Sequence, residues 1–209
     1  MSGSVPAHPG VLAAVVGDIV GSKAIADRAA LKQTMTATVE RLNGLFAPAL
    51  VEPFAVETGD ELRGVLSDPA QAPLCVAVMR ETLAPIMVRV GIAVAPDGPQ
   101  GAQAARDDAA AAMLLAKEED GLARYHAGGK PGEVLLRSLC RLVDPLLRSR
   151  TAEQWTAVAA YRDTGDKRRV ARRLKVSADE VEARLAAADW GPVEEADSAI
   201  AAYLSRLCA

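Results

Sequence analysis

Aromatic residues, cysteines and long apolar segments are all scarce in this chain of 209 residues. Aromatic side chains make up 3% of it, whereas hydrophobic residues make up 50%, so we expect a core built from Ala, Val and Leu. The three cysteines, Cys75, Cys140 and Cys208, share no metal-ligand spacing, which argues against a zinc site. Their odd number favours a reducing cytoplasm over a disulfide framework.

The remaining absences concern membranes and net charge. No apolar segment approaches the roughly 20 residues that cross a bilayer. The net charge of −3 gives no overall attraction to nucleic acid or to an anionic membrane. Residues 1–10 are rich in Pro, Gly and Ser and lack the basic and apolar regions of a signal peptide, which predicts a disordered tail. These features predict a cytoplasmic protein without membrane contact.

The first apolar segment, residues 11–16, is short and rich in valine, which predicts a buried strand. It leads directly into Gly-Asp-Ile-Val-Gly-Ser at residues 17–22. An aspartate between two glycines at the end of such a strand does not fill a core. Asp18 is therefore the first candidate functional residue.

The pattern up to residue 96 predicts two helices and four strands. Residues 27–46 and 69–83 have helical periodicity, and residues 51–57, 62–66 and 86–95 indicate further strands. The order β-α-β-β-α-β is typical of a ferredoxin-like α+β domain. In that fold the third strand lies between the first and second, so the turn at residues 58–60 meets the end of the first strand. We therefore expect Asp18 and Asp60 to be close together.

An Ala-rich helix over 102–118 and a short strand over 122–126 complete the predicted first domain, residues 11–130. The Gly-rich segment 128–132 lacks the spacing of a phosphate-binding loop and is predicted to be a linker. The second domain, residues 131–209, is predicted to be all-α. Its apolar stripe over 134–147 indicates a dimer interface or a docking helix, and helices over 166–174 and 177–187 with a three-residue link are typical of a helix-turn-helix.

Three motifs in the first domain resemble those of the SatD family and, more distantly, the class III nucleotide cyclases. They are Gly-Asp-Ile-Val-Gly-Ser at 17–22, Thr-Gly-Asp-Glu at 58–61 and Val-Arg-Val-Gly-Ile at 88–92. The resemblance implies a palm-like ferredoxin core. It also implies that Asp18, Asp60 and the backbone carbonyl of Ile19 hold divalent cations, Mg²⁺ or Mn²⁺, which bind the phosphates of a nucleotide.

Further ligand-binding candidates surround these aspartates. Backbone amides of Gly21 and Ser22 lead into a helix start and suit phosphate, as do the cations Lys23 and Arg89, and Glu61 adjoins Asp60. Arg28 is a further cation near this segment. The alternative is structural: Asp18 caps local amides, Asp60 occupies an ordinary hairpin turn, and the cations are only solvated.

The sequence also departs from active cyclases. The base-selecting lysine of the cyclases falls at or near Val56, and the 102–118 helix lacks their N-x-x-x-R signature. Without a group that stabilises the developing charge, cyclisation would be slower by orders of magnitude. These differences predict a regulatory protein that senses a nucleotide or metal through a catalytically degenerate domain. A metal-dependent nucleotide-processing enzyme and a non-catalytic protein-interaction module remain alternatives.

The second domain carries a basic cluster over 167–175, and the segment resembles sigma-region-4-type and MarR-like helix-turn-helix domains. The candidate DNA contacts are Lys167, Arg168, Arg169, Arg172, Arg173 and Arg184. The predicted recognition helix from residue 177 is nevertheless acidic, which favours a helical module packed on the core or on a partner as the alternative. If the segment binds DNA, we expect the protein to act as a homodimer.

Overall fold

The computed structural model describes residues 10–57 and 59–207. Most of the predicted tail at residues 1–10, Thr58 of the predicted turn, and Cys208 lie outside these residues. The strands are β1 (Val11–Ile19), β2 (Leu50–Val56), β3 (Glu61–Leu66), β4 (Val88–Pro96) and β5 (Ala123–His126). The helices are α1 (Arg28–Phe46), α2 (Ala72–Leu83), α3 (Gly101–Glu118), α4 (Glu133–Ser149), α5 (Ala152–Thr164), α6 (Lys167–Leu174), α7 (Ala178–Ala187) and α8 (Trp190–Arg206).

The five strands form one mixed sheet in the order β2-β3-β1-β4-β5. Neighbouring strands among the first four are antiparallel, and β5 joins the edge of β4 in parallel. The predicted α+β class is thereby confirmed, and β3 lies between β1 and β2 as the β-α-β-β-α-β pattern requires. Within residues 10–57 and 59–207, no helix combines the length and apolar character that a membrane span needs.

Side chains of β1 alternate between two hydrophobic layers. Ala13, Val15 and Ile19 pack in the layer formed with α1 and α2, whereas the next residues along the strand face α3. The helix α3 lies so close to β4 that a Cβ at Gly91 would be 1.9 Å from the carbonyl oxygen of Ala109. On the opposite face, a Cβ at Gly17 would lie 2.9 Å from Sδ of Met79. Both glycines therefore permit close helix–sheet packing next to the end of β1.

The helical segment beyond residue 131 is packed against the sheet layer. Leu136 and Cys140 of α4 and Ile200 and Leu204 of α8 belong to the same buried cluster as the α1 and α2 side of the sheet. The helices α5, α6 and α7 bury a separate cluster among themselves. The α5 helix begins with a capping box, because Thr151 and Gln154 bond to each other's backbone amides.

A network of partly or fully buried charges joins α2 to the helical segment. Nε of Arg162 donates to Oε1 of Glu81 at 2.6 Å, and the same guanidinium lies 3.1 Å from Glu194. The Arg162 guanidinium also stacks on Trp190, with 4.6 Å to the ring centroid. Burial raises the pKa of Glu81, and the nearby arginines lower it in part. This network holds α5 and α8 against the α2 side of the sheet.

Candidate functional site

Three candidate residues form a row across the sheet at the end of β1. Asp18 is in register with Glu61 of β3 on one side and with Arg89 of β4 on the other. Directly opposed residues of antiparallel strands place their side chains on the same face. The row therefore lies on the α3 side of the sheet, and Asp60 adjoins it in the turn before β3. The expected proximity of the β1 end and this turn is confirmed.

Negative charge accumulates at this row. Burial raises the pKa of the Asp18 carboxyl, and the charge of Asp60 raises it further, whereas Lys117 and Arg89 lower it. Burial likewise raises the pKa of Glu61, and the charge of Asp18 raises it further. The carboxyl groups of Asp18 and Asp60 are thus near enough to repel each other, which is the situation that a bound cation relieves.

A cavity of about 670 Å³ opens beside Asp60, between the β1–α1 loop, α1 and the β2–β3 turn. Its cationic lining consists of Lys23, Arg28 and Lys32. Apolar side chains contribute Leu31, Met35 and Val56, and further polar positions are Ser22, Glu57, Gly59 and Asp60. The volume lies in the range of small-molecule sites, and the lining combines apolar side chains with three cations.

The predicted ligand-binding residues do not all reach this cavity. Ser22 and Lys23 line it, and Gly21 precedes the short helical turn Ser22–Ala24 that borders it. Glu61 belongs to the adjacent row. Arg89 is buried and does not line the cavity. Its Nε donates to the carbonyl oxygen of Gly121 at 2.9 Å.

Lys32 is a lining cation that was not among the predicted residues. It lies one helical turn after Arg28, so both side chains project from the same side of α1. That spacing is visible in the sequence, but it becomes informative only once the side of α1 that borders the cavity is known. Asp27 begins this helix by accepting a hydrogen bond from the amide of Ala30 at 2.9 Å.

The residues at the site fit a divalent cation that arrives with phosphate. Within the described part of the chain, no three His, Cys, Asp or Glu side chains are grouped to hold a metal ion by themselves. Mg²⁺, however, is usually bound by one or two carboxylates together with waters and phosphate oxygens. Asp18 and Asp60 are the two carboxylates at this edge, and Ile19 ends β1 next to Asp18.

The basic helix α6 presents a surface far along the chain from this site. Arg168, Arg169, Arg172 and Arg173 are exposed, but several of the basic residues are engaged with acids. Lys167 pairs with Glu182, Arg169 with Asp166 and Arg173 with Asp163. On α7, Arg184 donates to Glu180 at 2.9 Å. Arg168 and Arg172 have no ion pair among the residues that the structure describes.

One carboxylate connects the cavity helix to this basic helix. Asp163 of α5 accepts from Nη2 of Arg41 on α1 at 2.6 Å and from Nη1 of Arg173 on α6 at 3.1 Å. These two arginines lower the pKa of Asp163 and so keep it ionised, although burial acts in the opposite direction. The helix α1 therefore contacts the cavity with its first turns and the α5–α6 region with its last turns.

The sequence model of the SatD family matches residues 12–96, which confirms the resemblance over that segment. The segment contains β1 to β4, α1 and α2, and it includes Asp18, Asp60 and all lining residues of the cavity. The match ends before α3 and the helical segment. No curated protein matches the chain.

Among solved structures, the GGDEF domain of YfiN from Pseudomonas aeruginosa is 21% identical, with a TM-score of 0.44 over 56% of this chain and 82% of that chain. The GGDEF domain of DgcB from Caulobacter crescentus, in complex with c-di-GMP, is 15% identical, with a TM-score of 0.45 over 58% of this chain and 80% of that chain. A regulator of polyketide synthase expression from Bifidobacterium adolescentis covers 94% of this chain and 80% of its own, at 15% identity and a TM-score of 0.35.

Proposed function

We propose that the protein is a cytoplasmic regulator that binds a nucleotide with a divalent cation and has a catalytically degenerate cyclase-like domain. The observation that carries the proposal is the cavity lined by Lys23, Arg28 and Lys32 beside Asp60. The three lining cations suit a polyphosphate, and the apolar side chains of Leu31 and Met35 suit a base.

In this proposal Asp18 and Asp60, with the carbonyl of Ile19, hold Mg²⁺ or Mn²⁺. The ion would neutralise phosphate charge at an edge where two carboxylates otherwise repel the ligand. Lys23, Arg28 and Lys32, which line the cavity, would bind further phosphate oxygens of the same ligand. Gly21 and Ser22 position the loop that carries Lys23. The cation that α3 brings to Asp18 is Lys117, in place of the asparagine–arginine signature of the cyclases, so we expect binding without cyclisation.

The proposed output is DNA binding by a homodimer through α6. The free cations Arg168 and Arg172 would contact phosphates, and Asp163 would link the two ends of the protein, since it contacts both α1 and α6. A ligand that shifts α1 would change how firmly Asp163 holds Arg173. Because α7 is acidic and Arg184 is engaged with Glu180, we expect little base-specific contact from α7.

Ligand binding is tested by isothermal titration calorimetry with nucleoside triphosphates in the presence of Mg²⁺ or Mn²⁺. Since a hydrogen bond to a charged group contributes about 1.5–3 kcal/mol, Arg28→Ala and Lys32→Ala should each weaken binding about tenfold or more. Lys130→Ala, which removes an exposed cation outside the cavity, is the matched control. Equal binding by both kinds of variant would refute the cavity as the site.

Three further measurements separate the parts of the proposal. Asp60→Asn should remove the effect of the metal on nucleotide affinity, whereas Asp97→Asn, at an exposed loop position, should not. If the protein converts a nucleotide to a product and Asp18→Asn abolishes this conversion, the protein is an enzyme and not a binding regulator. A gel shift with the DNA upstream of the protein's own coding sequence tests the output, and binding that survives Arg168→Glu with Arg172→Glu would exclude α6 as the contact.

A further inference from the structure

Two small cavities lie where the helical segment meets the α2 side of the sheet. The first lies between α2, β5, α4 and α8, and its lining includes Arg80, Asp144 and Asp197. The second lies between α2, α4, α5 and α8, and its lining includes Glu81 and Arg150. Each has a volume of about 10 Å³. Arg80 and Asp197 border both cavities, so the two belong to one cluster of charged side chains.

Four charged side chains in these linings each have a buried polar atom without a protein partner. The side chains belong to residues that are only 6% to 9% exposed, namely Arg80, Glu81, Asp144 and Arg150. Within the described part of the chain, the atoms without a hydrogen-bond partner are Arg80 Nε, Glu81 Oε2, Asp144 Oδ1 and Arg150 Nη2. Because buried polar atoms are nearly always hydrogen-bonded, these four indicate a partner other than protein.

The first cavity brings one donor and one acceptor together. Nη2 of Arg80 donates to the carbonyl of Leu122 at 3.5 Å, and Oδ2 of Asp144 accepts from the amide of the same residue at 2.7 Å. These bonds hold both side chains in place and leave Nε of Arg80 and Oδ1 of Asp144 over. A molecule in this cavity must therefore accept one hydrogen bond and donate another.

The second cavity has the same combination of groups. Oε1 of Glu81 accepts from Nε of Arg162 at 2.6 Å, and Nε of Arg150 donates to the carbonyl of Ala188 at 2.7 Å. The atoms left over are Oε2 of Glu81, which is an acceptor, and Nη2 of Arg150, which is a donor. Both cavities thus offer a guanidinium and a carboxylate, each with one polar atom to be satisfied.

We propose that each cavity is a binding site for one water molecule, which accepts from the arginine and donates to the carboxylate. A volume of about 10 Å³ has room for about one water and excludes phosphate and larger anions. A monatomic ion of either sign would meet a like charge, because each lining contains both arginine and carboxylate. Cavities lined by polar groups bind water, whereas apolar ones of similar size stay dry.

The two waters make the contact between the sheet and the helical segment partly water-mediated. They complete the hydrogen bonding of the charge network that α2 shares with the segments around α4, α5 and α8. A bridging water of this kind is nearly as favourable as a direct hydrogen bond. The assignment involves neither nucleotide nor DNA, so its test is independent of the proposed function.

A high-resolution crystal structure of the full chain tests both sites directly. It should show one water within hydrogen-bond distance of Arg80 Nε and Asp144 Oδ1, and a second one beside Arg150 Nη2 and Glu81 Oε2. Crystals grown in a bromide salt distinguish water from a halide, because bromide gives an anomalous signal and water does not. A bromide signal in either cavity, or a cavity without electron density, would overturn the assignment.

Magnetic relaxation dispersion of water oxygen provides a second measurement, since it counts the waters that stay bound while the protein tumbles. Ala77→Val enlarges a residue that lines the second cavity, and Ala123→Val does so in the first, so each should remove one long-lived water. Ala111→Val, at an exposed position of α3, is the matched control and should leave the count unchanged. Circular dichroism checks that each variant is folded. Folded cavity variants that keep the wild-type count would contradict the inference.

Discussion

Asp197 of α8 offers the sharpest test of how the helical segment is held on the sheet. Its carboxyl lies among Arg80, Arg150 and Arg162, yet burial raises its pKa from 3.8 to about 6. The nearby carboxyl of Glu194 raises this pKa as well, whereas the three arginines lower it only in part. We predict that Asp197→Asn stabilises the protein at neutral pH.

The sign and size follow from proton linkage. A carboxyl whose pKa is higher in the folded than in the unfolded state destabilises the fold once it must ionise, and this effect disappears as the pH falls. Since one pKa unit corresponds to about 1.4 kcal/mol, a rise from 3.8 to about 6 costs about 3 kcal/mol above pH 6. At pH 5 the linkage relation leaves about half of that cost.

Urea denaturation of wild type and Asp197→Asn between pH 5 and pH 8 provides the measurement. The variant should be more stable by about 3 kcal/mol at pH 8, or about 6–12 °C in Tm for a chain of this size, and the advantage should shrink towards pH 5. Asp97→Asn, in an exposed loop, is the control and should show no such trend. A variant that is less stable than wild type at pH 8 would show that the three arginines hold Asp197 ionised, and the reasoning would fail.

Two further predictions concern packing and the buried ion pair. Gly91→Ala places a methyl group 1.9 Å from a helix carbonyl and should lower stability by several kcal/mol, measured by urea denaturation. Gly44→Ala in α1, where nothing lies within 4 Å, should instead raise stability by about 0.5–1 kcal/mol. Arg162→Ala leaves Glu81 buried and unpaired and should cost about 3–5 kcal/mol, whereas Arg184→Ala, which breaks an exposed pair, should cost less than about 1 kcal/mol. Equal effects within either pair of variants would contradict these assignments.

Periodicity and chain order predicted the sheet and the end of β1 well. The short, valine-rich apolar segment that forms β1 and the strand order that follows from β-α-β-β-α-β are local or topological properties. The proximity of Asp18 to the turn that holds Asp60 followed from that order, whereas the register of Asp18 with Glu61 is seen only in the structure. The predicted start of β4 at residue 86 was early, because the amide of Ile86 donates to the carbonyl of Leu83 in a turn.

Features that depend on how helices pack against each other were not predictable from the sequence. Lys32 joins Arg28 at the cavity only because α1 presents that side to the β2–β3 turn. Arg89 donates from Nε to the carbonyl of Gly121, 32 residues later, a contact that the sequence did not predict. The ion pair of Glu81 with Arg162 likewise connects residues 81 positions apart. Sequence spacing gives no information about such distances.

The two glycines that flank the end of β1 bear on how ligand preference could change during evolution. A side chain at position 17 would clash with Met79 on one face of the sheet, and a side chain at position 91 would clash with the α3 backbone on the other face. Substitution of Gly17 would therefore disturb α2, and substitution of Gly91 would disturb α3. Loop positions such as Ser22, and exposed positions of α1 such as Lys32, carry no such constraint. Homologues that recognise different ligands should accordingly differ in the β1–α1 loop and the first turns of α1, while the strands stay the same.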